Sequence, residues 1–229
     1  MIRKVLLNRP EKYNALNLEM IERLIREIEA RDNTRVLLLQ GEGPHFCAGA
    51  DLTGDFPKIF EGIVKLYHTM ITSDKIIIAL IDGHCIAGGF GLAAAADLAL
   101  ATPEASFSLP ETRRGLVAPL ASLLAEHALP KRILHELTLS GEPIKAPRLY
   151  DVGFLNKVVS REDLQTAAEA LAQHILKGGP EATRLTKKLL SKSASLKDAI
   201  EWQAKALASG EPEEGVAAFR EKREPRWLK

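Results

Sequence analysis

KIIIALIDGHCIAGGFGLAAAAD, residues 75–97, decides the architecture. Its first half is apolar and rich in β-branched residues, the signature of a strand buried on both faces of a parallel sheet. Asp82-Gly83 ends that run, and the paired glycines 88 and 89 open an alanine-rich segment that reads as a helix to about Ala96. The same order occurs one unit earlier. VLLLQG (36–41) reads as a buried strand, GEGPHFCAGADL (41–52) as a loop with three glycines and a proline, and FPKIFEGIVKLYHTMITSD as a less regular helix. Each junction follows a buried strand and precedes a helix, the place where ligands bind in open α/β sheets.

Upstream, KVLLN (4–8) reads as a short strand, and Asn17 as the N-cap of a helix with Met20, Ile21, Leu24, Ile25 and Ile28 on one face. Downstream, DLALATPEASFSL (97–109) gives two short strands around Pro103, and from about Pro143 the chain is mostly helical. Strand–helix alternation followed by helices predicts an α/β core with a helical C-terminal part. We place the core at residues 1–160 and the helical part at 161–229.

With 31 basic and 30 acidic side chains the net charge is +1, so no charge excess points to nucleic acid or an anionic membrane as partner. The start, MIRKVLLNRPEKYNALN, lacks the apolar region of a signal peptide, and no stretch approaches the roughly 18 apolar residues of a spanning helix. The expected location is cytoplasmic, or an organelle matrix after loss of a presequence. The two cysteines, Cys47 and Cys85, have neither a disulfide-framework nor a metal-site spacing and are expected as buried free thiols. No metal site and no separate cofactor are expected.

CAGAD (47–51) and AGGFG (87–91) carry the chemistry. A helix N-terminus offers unpaired N–H groups and a partial positive charge, and small residues let a ligand oxygen approach the backbone. One N–H from each junction, converging on one oxygen, makes an oxyanion hole suited to a thioester carbonyl becoming an enolate. The competing explanation is that these glycines serve only tight turns and close packing. A dinucleotide fingerprint and a GK[ST] phosphate loop are both lacking.

Several motifs in order resemble the enoyl-CoA hydratase/isomerase (crotonase) family: LNRPEKYNALN (7–17), HFCAGADL (45–52), IDGHCIAGGFGLAAAADLALATPEASFSLPE (81–111), LTLSGEPIKAPRLYDVGFLNKVV (137–159) and EGVAAFREKREPRW (214–227). The resemblance implies a spiral of ββα units with C-terminal helices used for oligomerisation, as a homotrimer or a dimer of trimers. It implies an acyl-CoA thioester as substrate, coenzyme A being part of that substrate. It makes the backbone N–H groups of Ala50 and Gly88 the oxyanion donors and Glu111, in the Pro110-Glu111 pair, the general acid/base. Asn14, Ala15 and Ala48 fall in segments that line the coenzyme A region, and Phe219 and Lys222 on the C-terminal helix that meets it, often a neighbouring subunit's. The alternative for Glu111 is an ion pair with Arg113 or Arg114 on a surface loop, and for Lys222 a solvated basic face. His84 and Asp51 lie beside the two junctions. His84 is either pocket-facing or a satisfied structural histidine, and Asp51 is expected to cap the next turn.

The chain departs from the family's pattern at position 91. Hydratases of the family typically carry a second glutamate there, and this chain has Gly91. The vacated place is expected to admit a bulkier acyl group, such as a ring, or a water or small anion. Ala118-Pro119-Leu120 stands where the family has a glycine-rich turn. Together these features resemble the cyclohexadienoyl-CoA hydratase subgroup. Four activities stay open: hydration/dehydration of a 2-enoyl-type thioester, which we favour; double-bond isomerisation, for which one carboxylate suffices; decarboxylation of a CoA-linked acid; and acyl-CoA binding without catalysis.

Overall fold

The computed structural model describes residues 1–190 and 195–228. Its strands are β1 (Ile2–Leu7), β2 (Val36–Gly41), β3 (Ile76–Ile81), β4 (His84–Ile86), β5 (Leu98–Ala101), β6 (Ser106–Ser108), β7 (Ile144–Lys145) and β8 (Lys157–Val158). Its helices are α1 (Leu18–Glu29), α2 (Phe56–Thr72), α3 (Gly88–Ala95), α4 (Pro119–Ala125), α5 (Lys131–His135), α6 (Ala146–Asp151), α7 (Leu164–Leu176), α8 (Pro180–Leu190), α9 (Leu196–Ala208) and α10 (Glu211–Glu221).

Five parallel strands form the main sheet in the order β1-β2-β3-β5-β8, and β4-β6-β7 form a small second sheet. Between them runs a stack of short bridges, Leu16 to Ala50 and Cys47 to Cys85, which continues the small sheet back toward the N-terminus. Each turn of the chain thus lays one strand in the main sheet, a short extended piece in the second layer, and then a helix. That is a spiral of ββα units. β4 was hidden in the sequence, because three residues between two glycine-bearing turns are too few to show a period.

The main sheet is buried on both faces, which explains why β2 and β3 read as unbroken apolar runs. Leu37, Leu39, Ile77, Ala79 and Ile81 join the larger core with α1, α2 and α3. Val36, Leu38, Ile76, Ile78 and Leu80 point the other way, onto Leu164, Ala168, Ala172 and Leu176 of α7. A boundary at residue 160 therefore cuts through a packed layer. Helix α7 belongs to the core, and the correction follows from the apolar sheet face that its Leu164, Ala168, Ala172 and Leu176 cover.

Helix α1 starts where Asn17 Oδ1 accepts a hydrogen bond from Met20 N at 2.9 Å. Its five buried residues are Met20, Ile21, Leu24, Ile25 and Ile28. Their burial contributes on the order of 10 kcal/mol before chain entropy is subtracted. Helix α8 is anchored differently. The buried Lys187 Nζ donates to Met70 O (3.0 Å), Lys75 O (2.7 Å) and Asp97 Oδ2 (2.8 Å), tying α8 to the end of α2 and the start of β3. Among the described residues no helix is long and apolar enough to cross a membrane.

Candidate active site

The two glycine-bearing junctions meet. Cys47 N donates to His84 O and Ile86 N to Cys47 O, both at 2.9 Å, so the loop after β2 is zipped to β4. Gly49 has φ +95°, a conformation other residues rarely adopt, and a Cβ there would stand 2.8 Å from Ala87 Cβ and 3.1 Å from Gly88 N. A Cβ on Gly88 would in turn lie 3.4 Å from Ala50 N. The bare backbone at Gly49, and at Gly89, where a Cβ would clash with Cys47 O, is what lets the loops come together. Ala87, just before α3, is held at φ 53°, ψ −117°, strain of about 1–3 kcal/mol that the surrounding hydrogen bonds sustain. Among the described residues the N–H groups of Ala50 and Gly88 have no acceptor. Gly88 N–H is also the first of α3, where the helix dipole favours negative charge.

Both N–H groups belong to residues lining a cavity of about 530 Å³. Its wall is largely apolar, with Phe56, Phe60 and Ile63 from α2 on one side and Leu116, Val117 and Leu120 on the other. Glu111 enters from the 3₁₀ turn Pro110–Arg114. Its Oε2 is buried and has no hydrogen-bond partner among the described residues. Burial pushes the Glu111 carboxyl above its ordinary range, while its own backbone N–H and the charge of Arg114 pull it partly back. The surface ion pair with Arg113 does not form, because Arg113 is engaged with Glu142 and donates to Ser140 O. Glu111 is the only carboxylate among the described residues lining the cavity.

Of the other expected positions, Ala48 lines the cavity and the rest do not. Asn14 is fully buried, accepts from Arg9 N at 2.9 Å and donates to Glu42 O and His45 O at 2.9 and 2.7 Å. It holds the loops behind the site and has no donor left for a ligand. Ala15 is drawn into the same arrangement, its carbonyl accepting from Arg9 Nη1 at 2.7 Å. Asp51 caps the next turn as expected, accepting from Thr53 N, and it pairs with Arg9 at 2.9 Å. The Thr53 hydrogen bonds, then Arg9, lower its pKa to about 2. His84 is exposed and lies outside the cavity, its ring stacked on His45 and its Nδ1 3.0 Å from Ser106 Oγ. Phe219 and Lys222 lie on the surface at the end of α10, outside this cavity. Cys47 and Cys85 are buried free thiols, and burial pushes Cys47 up to about 12.

Gly91 requires a correction, because no space stands open beside it. A Cβ at 91 would lie 2.5 Å from Cζ and 2.8 Å from Cε2 of Tyr67, and closer still to the hydroxyl. Tyr67, on α2, fills the place and donates its hydroxyl to Gly88 O at 2.6 Å. It also lines the cavity. Sequence reasoning missed it, since a tyrosine on an apolar helix face reads as core. The one available signal was the pairing of a small residue at 91 with an otherwise apolar helix.

A larger cleft, about 1040 Å³, lies between the end of α1, the end of α2 and α8. Its charged groups serve each other: Arg184 pairs with Asp74 and Glu181, Asp32 with Arg3 and Lys75, and Arg35 donates to Gly178 O. It offers no unpartnered group comparable to Glu111. Among the described residues no cluster of His, Cys, Asp or Glu is arranged to hold a metal ion.

A ββα spiral whose two junction N–H groups face an apolar cavity with one buried carboxyl defines an oxyanion-hole enzyme of the acyl-thioester type. The enoyl-CoA hydratase/isomerase family profile matches residues 1–229. The chain is 34% identical over 240 residues to the mevalonyl-coenzyme A hydratase of Aspergillus fumigatus, covering 96% of this chain and 89% of that one. It is 31% identical over 250 residues to the carnitinyl-CoA dehydratase of Proteus mirabilis, covering 98% and 94%. Among solved structures, the enoyl-CoA hydratase of Mycobacterium smegmatis superposes with a TM-score of 0.93 at 27% identity, covering 100% of this chain and 95% of that one. The chain belongs to the enoyl-CoA hydratase/isomerase (crotonase) family and is an acyl-CoA enzyme of that family.

Proposed function

We propose that this enzyme adds water to, and removes it from, a 2-enoyl-type CoA thioester. The thioester oxygen accepts from the N–H groups of Ala50 and Gly88, and Glu111 moves the proton. The observation that carries this reading is Glu111 Oε2, buried and without a hydrogen-bond partner among the described residues, in the cavity that Ala50 and Gly88 also line. A carboxyl of raised pKa suits proton transfer near neutral pH. The apolar wall fits a hydrocarbon acyl group, a cyclic dienoyl group being the bulkier candidate.

The lone carboxylate favours a second reading, double-bond isomerisation, in which one group carries a proton from carbon to carbon. Mass spectrometry of linear 2-enoyl, linear 3-enoyl and cyclic dienoyl CoA thioesters, with and without Glu111→Gln, separates the two. Hydration yields a product heavier by one water that the variant fails to form. An isomerase yields a product of unchanged mass and altered retention on chromatography. Unaltered thioesters throughout would contradict both.

We further propose assembly as a homotrimer or a dimer of trimers through the C-terminal helices. Ile200 on α9 and Phe219 on α10 are 72% and 84% exposed in the single chain, unusual for side chains of this size. Phe219 and Lys222, which lie outside the cavity of their own chain, would then meet the coenzyme A of a neighbouring subunit.

A further inference from the structure

We propose that the Tyr67 hydroxyl, which itself fills the place a side chain at position 91 would occupy, holds the nucleophilic water against Glu111. The assignment rests on the hydration reading above and deepens it.

A phenolic hydroxyl has one hydrogen to donate and two lone pairs. The hydrogen is committed to Gly88 O at 2.6 Å. Among the described residues no N–H or O–H donates to the Tyr67 oxygen, so it is left as an acceptor. The ring is only 4% exposed and the residue lines the cavity, as Glu111 does. The hydroxyl stays neutral: burial raises its pKa well above the ordinary value, then the Cys47 and Cys85 thiols, and Glu111 adds to the rise. Tyr67 and Glu111 line the same cavity.

The two groups complement each other toward one water. Glu111 Oε2 is an acceptor without a donor, and so is Tyr67 Oη. A water that donates one hydrogen to each has its own lone pair left for the β-carbon of the acyl group. As the C–O bond forms, the Cα=Cβ π pair moves toward the thioester and becomes the enolate, whose oxygen is held at Ala50 and Gly88. The proton released by the water passes to Glu111 and from there to the α-carbon. Water is thereby added across the double bond, with Glu111 restored and no oxidant or reductant needed. The bond to Gly88 O orients the hydroxyl, because it fixes where the lone pairs point.

The test is Tyr67→Phe, which keeps the ring and its packing. Two rates are measured per active site: hydration of the preferred 2-enoyl-CoA, and exchange of the α-hydrogen of the corresponding saturated acyl-CoA with deuterated water. Exchange needs Glu111 and the oxyanion hole but no nucleophilic water. Loss of one positioning contact on a nucleophile lowers hydration on the order of 100-fold, and exchange and acyl-CoA affinity stay near the wild-type values. Hydration at the wild-type rate would overturn the assignment. So would a parallel fall in both rates, which would make Tyr67 only a support for the turn at Gly88. A wild-type enzyme that exchanges the α-hydrogen yet adds no water would remove the hydration reading itself, and is recognised by its wild-type behaviour alone.

Discussion

Gly91→Ala isolates the packing of Tyr67 against α3. In most helices this change stabilises by about 1 kcal/mol, because glycine loses more backbone entropy on folding. Position 91 is buried and has ordinary helical φ, so nothing in the backbone opposes alanine. The side chain across from it does. The new Cβ would stand 2.5 Å from Tyr67 Cζ and 2.8 Å from Cε2, distances a buried ring cannot accommodate without moving. Overpacking of this kind costs about 1–3 kcal/mol. Displacing the ring also breaks the bond from Tyr67 to Gly88 O, a further loss of about 1–2 kcal/mol. Set against the propensity gain, the net destabilisation is about 1–4 kcal/mol, and about 2–4 °C of melting temperature for each kcal/mol in a chain of this size. Urea denaturation followed by circular dichroism measures it, with Tyr67→Ala and the double variant completing a cycle. In the Tyr67→Ala background Gly91→Ala becomes neutral or stabilising. A Gly91→Ala variant as stable as the wild type, with no coupling to Tyr67, would refute the reasoning and leave position 91 open.

Other outcomes follow from the same contacts. If Glu111 acts first as a base it must be ionised, so hydration falls as pH drops through a pKa above the ordinary carboxyl value of 4.5, read from a pH–rate profile. Because that pKa is raised on folding, the native state binds the proton more tightly than the unfolded chain. The cost to folding grows as pH rises from the ordinary value of 4.5 through the raised pKa and is complete above it, so Glu111→Gln is more stable than the wild type at neutral pH in a thermal melt. Asn14→Ala strands Arg9 N, Glu42 O and His45 O in a buried setting and costs about 2–4 kcal/mol by urea titration. Lys187→Met leaves Asp97 without its cation and takes the donor from Met70 O and Lys75 O, while Ile77 N still donates to Asp97 Oδ2. It costs about 3–5 kcal/mol, and Asp97→Asn in the same chain recovers part of it.

Much of the fold was legible because long elements announce themselves by period. Helix α1 runs from its Asn17 cap with the five expected residues buried, and β2 and β3 lie where unbroken apolar runs place them. The two junctions were legible because glycine is needed where backbones touch, and Gly49 and Gly88 do touch. β4 was not, being three residues long. The membership of α7 in the core was not, because an amphipathic helix does not say which sheet face it covers. Tyr67 escaped for a deeper reason. Its role depends on position 91, 24 residues along the chain, and on a bare backbone that signals space when read alone. The polar groups of Asn14 and Asp51 are taken up by neighbouring loops, and His84 faces Ser106 outside the cavity.

In the proposed reaction Ala50 and Gly88 together polarise the thioester carbonyl. Isotope-edited difference infrared spectroscopy of a carbonyl-labelled, unreactive saturated acyl-CoA bound to the Glu111→Gln variant tests it directly. Two N–H donors on one oxygen weaken the C=O bond, so the account predicts a band shifted to lower frequency than that of the free thioester. A bound ligand whose carbonyl band stays at the free-solution frequency would contradict it.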